Sequence, residues 1–193
     1  GAIGVLKELG AERVWDPDRI VIVLDHFVPA KDIQAATAID RVRQWVKAQG
    51  IRQFYGEGRN GISHIILPEQ GLVGPGDLVI GGDSHTCTYG ALGVFSAGVG
   101  STDLAVTMAL GEIWLKVPPS IRFVYHGTPG RWIMGKDLIL LTIGRISIEG
   151  ALYQAMEFAG PVIDRLGISD RLTAWTNAAD LWLVYAARKR TMS

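Results

Sequence analysis

Apolar and polar positions fall in blocks along the chain, and each block predicts an element. Ile3 to Leu9 reads as a short helix stopped by Gly10, and Trp15 to Arg19 as a turn. Ile20 to Leu24 is a run of consecutive apolar, mostly β-branched residues. It predicts a strand buried on both faces, the habit of parallel sheets. The run ends abruptly in Asp25-His26. From Pro29 to Gly50 the residues Ile33, Ala36, Ile39, Val42 and Trp45/Val46 recur at helical spacing, with Gly50 where a chain leaves a helix. Ile51 to Tyr55 predicts a strand, followed by the turn GEGRNG. Ile62 to Leu67 is another apolar run, holds His64 and is closed by Pro68.

Beyond the turn GPGD (74–77), Leu78 to Ile80 predicts a short buried strand leading into Gly81-Gly82-Asp83-Ser84-His85. A glycine-rich stretch follows at 89–101, and Thr102 is placed to cap a helix from Asp103 to about Lys116. Pro118-Pro119 ends it. Ile121 to Tyr125 predicts a strand, and Lys136 to about Ile143 a helix. Ala151 to Phe158 fits either element: its residues favour helix, its flanking glycines and short length a strand. Strands alternating with helices imply βαβ units, hence an α/β fold with a mostly parallel sheet between helical layers. The last twenty residues, with Trp175, Trp182 and the basic run Arg188 to Arg190, read as a possible terminal amphipathic helix. Its apolar stripe is Ala178, Leu181, Trp182 and Tyr185.

Composition narrows the chemistry. A chain of 193 residues allows one domain or a tight pair, and 48% hydrophobic against 20% charged residues supports a real core. Lys+Arg and Asp+Glu are both 19, so no charge excess recruits nucleic acid or an anionic membrane. The single cysteine, Cys87, excludes an intrachain disulfide and cannot complete an iron–sulfur or Cys-rich zinc site. It is expected to be a buried or half-buried thiol. No apolar run approaches a membrane helix, and the first residues are no signal peptide. A cytoplasmic location is the expectation. The opening Gly suggests that something was removed or that the sequence is a piece of a longer protein.

Candidate chemistry gathers on histidines near carboxylates. Asp25-His26 and Asp83-Ser84-His85 follow predicted strands, where α/β sheets keep their functional crevice. His64 is grouped with them at a predicted sheet edge. A carboxylate beside an imidazole fixes its tautomer and raises its basicity, as a general acid or base requires. His126 follows a strand without a nearby carboxylate and reads as structural or exposed. Asp83-Ser84-His85 is not a Ser–His–Asp triad, because adjacent side chains diverge while a triad must converge. A metal-dependent hydrolase built on His26, His64 and His85 stays open, although the spacing is no recognised ligand pattern. Gly130-Arg-Trp-Ile-Met-Gly135-Lys136 imitates a phosphate loop but lacks the final Ser or Thr.

Several segments together resemble one family: Asp-His-Phe-Val-Pro-Ala (25–30), Gly-Ile-Ser-His (61–64), Leu-Pro-Glu (67–69), GGDSHTCTYGALGVFSAGVGSTD (81–103), GKDLIL (135–140) and MEFAGP (156–161). They resemble the aconitase superfamily, in particular the large subunits of 3-isopropylmalate and homoaconitate dehydratases, from about residue 2 to Thr173. The resemblance implies a hydro-lyase that moves a hydroxyl between adjacent carbons of a polycarboxylate by dehydration and rehydration on a 4Fe–4S cluster. It implies that Asp25-His26 donates a proton to the departing hydroxyl and that His64 pairs with Asp83. It further implies that Ser84 contacts a substrate carboxylate and that His85 helps hold the iron-bound water. The family's cluster cysteines, one alone and a later Cys-x-x-Cys, are absent from this sequence, so no residue here is expected to bind the metal. The base that abstracts the carbon-bound proton belongs to a small, swivelling partner subunit.

After Thr173 the family pattern Asn-Met-Ala-x-Glu-x-Gly-Ala is lost, although Asp180 falls at the glutamate position without gaps. Residues 1–173 are therefore expected to be a partial aconitase-like domain, and 174–193 a divergent tail that need not be native family sequence. The resulting expectation is a fragment of a hydro-lyase large subunit, itself inactive. The alternatives are a standalone α/β carboxylate-binding protein and the metal-dependent hydrolase.

Overall fold

The computed structural model describes residues 1–178 and 185–187. The chain divides into two units, Gly1–Gln70 with Ser101–Trp114, and Gly71–Gly100 with Leu115–Ser193.

In the first unit α1 (Ala2–Glu8) leads through a 3-10 turn (Pro17–Arg19) into β1 (Val21–Val23), α2 (Ile33–Gln49), β2 (Gln53–Tyr55), α3 (Ser63–Glu69) and α4 (Ser101–Leu110). Helix α2 begins and ends where the local chemistry says it should. The Asp32 carboxylate accepts the Ala35 N–H at 2.7 Å, satisfying one of the unpaired donors of the first turn. Gly50 leaves the helix at φ 74°, a conformation that glycine takes without steric cost. Ala35, Ile39 and Val46 supply the buried stripe. The helix is the crossover that lets β1 and β2 pair in parallel, with Ile22 opposite Phe54. Leu6, Val14, Ala105 and Met108 form the core of this unit, with Ile20 and Trp45 packed against it.

The second unit holds β3 (Leu78–Gly81), a nine-residue 3-10 helix (Ser84–Leu92) and β4 (Phe95–Gly98). It continues with β5 (Ser120–Val124), α5 (Gly135–Ile146), β6 (Ala155–Ala159), α6 (Pro161–Arg165), α7 (Ile168–Asn177) and β7 (Tyr185–Ala187). β3 pairs with β4, and β5, β6 and β7 form a second sheet in that order. Every pairing among the described residues is parallel, so the architecture is α/β, as the alternating pattern predicts. Ile139, Met156, Phe158, Ile163 and Trp175 centre the core. The Trp175 ring meets Phe158 edge-on at 4.7 Å between centroids, a geometry that the charge distribution of aromatic rings favours.

Several expectations change. β1 is half-buried, not covered on both faces, and among the described residues its sheet has two strands. The run 62–67 is helical, so His64 sits in the first turn of α3 and not at a sheet edge. α4 stops at Leu110, well short of Lys116, because Gly111 turns the chain at φ 72°. The ambiguous segment 151–158 starts as a turn and ends in strand β6, fixed by its register with β5, Ile121 opposite Met156. Thr173 itself lies within α7, whose Ala174 and Trp175 are buried. The terminal helix does not run to Tyr185, which begins β7. Asp180, Leu181, Trp182 and the basic run 188–190 lie outside the described residues. Among the described residues no helix is long and apolar enough to cross a membrane.

Candidate functional site

The candidate residues fall into two constellations, one in each unit. In the first, Asp25 follows β1 by two residues and is half-buried, while His26 is exposed. One carboxylate oxygen of Asp25, Oδ2, accepts the Ser63 backbone N–H at 2.8 Å and the Ser63 Oγ–H at 3.0 Å. Ser63 opens α3, and its N–H is one of the donors that a helix leaves unpaired at its start. A carboxylate placed there gains from charge-assisted hydrogen bonds and from the positive end of the helix. The structure therefore brings Asp25 to Ser63 and to the turn carrying His64. No hydrogen bond joins Asp25 to the His26 ring among the described residues, although the two are adjacent in sequence. His64 is half-buried.

The second constellation is built by the turn leaving β3. Asp83 Oδ1 accepts the His85 backbone N–H at 2.7 Å and lies 3.4 Å from His85 Nδ1. Ser84 Oγ is 3.3 Å from the same ring nitrogen. A carboxylate and a hydroxyl thus face Nδ1, with Nε2 on the opposite side of the ring. In a catalytic triad the serine and the carboxylate serve opposite ring nitrogens; here they share one, so Ser84 is not set up as a nucleophile activated by His85. The arrangement instead holds the imidazole from its Nδ1 side. The Asp83 and His85 side chains are about two fifths exposed, at 37% and 44%.

Threonines hold that turn. Thr86 Oγ1 donates to the Asp83 carbonyl and Thr88 Oγ1 to the His85 carbonyl, both at 2.6 Å. Such bonds help sustain a 3-10 run much longer than the usual three or four residues. Thr88 Oγ1 also meets Thr176 Oγ1 at 2.8 Å, and the Cys87 thiol donates to the Trp175 carbonyl at 3.3 Å. The floor beneath the turn is the register pair Gly81 and Gly98 at the ends of β3 and β4. A Cβ on Gly98 would stand 2.9 Å from Ser84 Cα and 3.1 Å from the Asp83 carbonyl carbon. Glycine is what lets the turn fold back over the strand. The glycine-rich sequence signalled this close packing; the hydroxyl supports and Ser63 carried no separate signal.

His126 is exposed and Cys87 is 1% exposed. A shallow groove lined by Phe123, Val124, Tyr125, Leu141, Thr142, Arg145 and Ile146 contains none of the candidate residues. The loop that imitates a phosphate-binding motif exposes Trp132, Ile133 and Met134. Gly135, its last glycine, is already the first residue of α5.

Comparison with known proteins gives this geometry its context. The sequence profile of the aconitase family (aconitate hydratase) matches residues 2–179. The chain belongs to the aconitase family. It is 59% identical over 172 residues to the 3-isopropylmalate dehydratase large subunit of Aquifex aeolicus, covering 89% of this chain and 40% of the relative. The large subunit of the same name from Moorella thermoacetica is 58% identical over 172 residues, covering 89% and 41%. The 3-isopropylmalate dehydratase large subunit 1 of Pyrococcus furiosus is 56% identical over 178 residues, covering 92% and 42%. The chain thus spans about two fifths of the length of the curated relatives it matches.

Aconitase family proteins generally carry 4Fe–4S clusters, which thiolates hold. The residues of this chain do not fit one. It has a single cysteine, whose thiol is buried and engaged with the Trp175 carbonyl. Among the described residues no three His, Cys, Asp or Glu side chains are grouped as a metal site.

Proposed function

We propose that this chain is the part of a 3-isopropylmalate dehydratase-type large subunit that supplies proton-transfer and carboxylate-contacting side chains, and that it does not turn over substrate by itself. The observation that carries the reading is the 59% identity to a large subunit of that name over 89% of the chain. Asp25, His26, His64, Asp83, Ser84 and His85 all lie within the residues matched by the family.

In this reading the reaction removes and restores a hydroxyl on adjacent carbons of a hydroxy polycarboxylate, of the 3-isopropylmalate or homoaconitate type. His26, beside Asp25, delivers a proton to the departing hydroxyl. Its exposure suits a group that must reach a substrate. His64 acts with Asp83, and Ser84 hydrogen-bonds a substrate carboxylate. His85, oriented through Nδ1 by Asp83, presents Nε2 to the oxygen that leaves and returns. Proton transfer by a positioned side chain contributes typically 10²–10⁴-fold to such a rate. Any cluster would take its thiolates from outside these 193 residues. The base that removes the carbon-bound proton would come from a small partner subunit, as the name "large subunit" borne by the relatives suggests. The reading includes a cytoplasmic location.

The test is to express the source gene together with a small-subunit gene from the same source. Dehydration of 3-isopropylmalate is then followed by the rise in ultraviolet absorbance of the unsaturated intermediate, and hydration of homoaconitate, itself unsaturated, by the fall. Turnover of either substrate by the assembled protein, with none by residues 1–193 alone, is expected. Absence of turnover of both substrates by an assembled, cluster-loaded protein would overturn the reading, and binding of 3-isopropylmalate without turnover would favour a carboxylate-binding protein instead.

A further inference from the structure

We infer that Ser63 is a positioning residue for the Asp25 carboxylate, locking the proton-donor segment to the helix that carries His64. The inference rests on the hydro-lyase reading and deepens it. Its support is geometric. The backbone N–H and the hydroxyl of Ser63 converge on the same oxygen, Asp25 Oδ2, at 2.8 and 3.0 Å. The contact spans 38 residues of sequence, so it ties the loop after β1 to the start of α3.

A carboxylate at the end of a loop has two freely rotating torsions. Two donors from one residue fix both its position and the plane of its oxygens, as a single backbone bond does not. Both use Oδ2, which leaves Oδ1 to serve the site. The backbone N–H is available from any residue at position 63, but the second donor requires a hydroxyl there. Both groups are half-buried, where a hydrogen bond to a charge is less screened than in water. Ser63 touches Asp25 and acts through it. Its loss should slow the step that needs the oriented carboxylate without weakening substrate binding in proportion.

The test compares Ser63→Ala with Ser63→Thr in the complete large subunit assembled with its small subunit. Ser63→Ala keeps the backbone bond and removes the hydroxyl. Roughly a 10-fold fall in kcat with KM within about twofold is expected, and Ser63→Thr should restore kcat to within about twofold of the parent. Unchanged kcat in Ser63→Ala, a loss confined to KM, or no recovery in Ser63→Thr overturns the inference. A second readout is independent of activity: the Ser63 amide resonance should shift on Asp25→Asn, and a shift there supports the contact. A resonance that stays in place overturns it. If the parent shows no turnover, the hydro-lyase reading falls and this second readout alone decides the contact.

Discussion

A single methyl group added at Gly98 presses on the turn that presents Asp83, Ser84 and His85. The added Cβ would lie 2.9 Å from Ser84 Cα, while carbon atoms pack best at about 3.5–4.0 Å. The turn must therefore retreat by about 0.6 Å or more. The neighbours are backbone atoms in a turn already pinned by the hydroxyls of Thr86 and Thr88, so they yield poorly. Overpacking of this kind costs about 1–3 kcal/mol. Gly144 is the control. It is exposed within α5, and a Cβ there meets nothing within 4 Å. Gly144→Ala should stabilise by about 0.5–1 kcal/mol, because glycine inside a helix loses more backbone freedom on folding than alanine. Equilibrium urea unfolding of the two variants against the parent is the assay. With a slope near 2 kcal/mol/M, Gly98→Ala should lower the midpoint by roughly 0.5–1.5 M, and Gly144→Ala should raise it. Gly98→Ala within about 0.5 kcal/mol of the parent would refute the close-packing argument, as would an equal fall in Gly144→Ala.

Trp175→Ala should cost about 3–5 kcal/mol, since the ring is fully buried against Phe158; a loss under about 1 kcal/mol in the same assay would remove the segment after Thr173 from the core. Burial raises the Tyr125 phenol above its ordinary value near 10, while its hydrogen bond with Thr142 opposes the shift. The folded state then holds that proton more tightly than the unfolded chain, so this contribution is full below about pH 10 and is lost as pH rises through the raised value. Tyr125→Phe should flatten the alkaline fall in stability, and an unchanged slope above about pH 10 counts against it. In the assembled enzyme, His26→Ala and His85→Ala should each lower kcat by roughly 10²–10⁴-fold with a much smaller change in KM; parent-like turnover in either removes that histidine from the chemistry. Residues 1–193 incubated anaerobically with iron and sulfide should retain no four-iron cluster, and iron counting after gel filtration checks this.

Much of the secondary structure was legible because its causes are local. Gly50 ends α2 where the apolar repeat predicts, while Asp32 starts it at Ile33, later than the Pro29 read from the sequence. The β-branched run at 20–24 could hardly be anything but a strand. Gly111 carried the signal that ends α4 early, but it was outweighed by the apolar residues beyond it. The motif residues stood out as candidate chemistry too, since Asp25-His26 and Asp83-Ser84-His85 join acid to imidazole after strands.

Contacts between distant residues decided the rest. Residues 155–159 became a strand through pairing with β5, because the sequence there balances helix against strand and the neighbour's unpaired backbone tips it. Trp175 stood out in sequence as a departure from a family pattern, yet in the fold it fills the core beside Phe158. Burial depends on what lies across the interior, not on the residues alongside. Asp25 was paired by sequence with the adjacent His26, but its hydrogen bonds go to Ser63. His26 enters a turn where the chain leaves β1, whereas a helix start 38 residues away offers a donor that needs a partner. The sequence determined which groups could do proton chemistry; the tertiary structure decided which oxygen and which ring nitrogen are held, and by what.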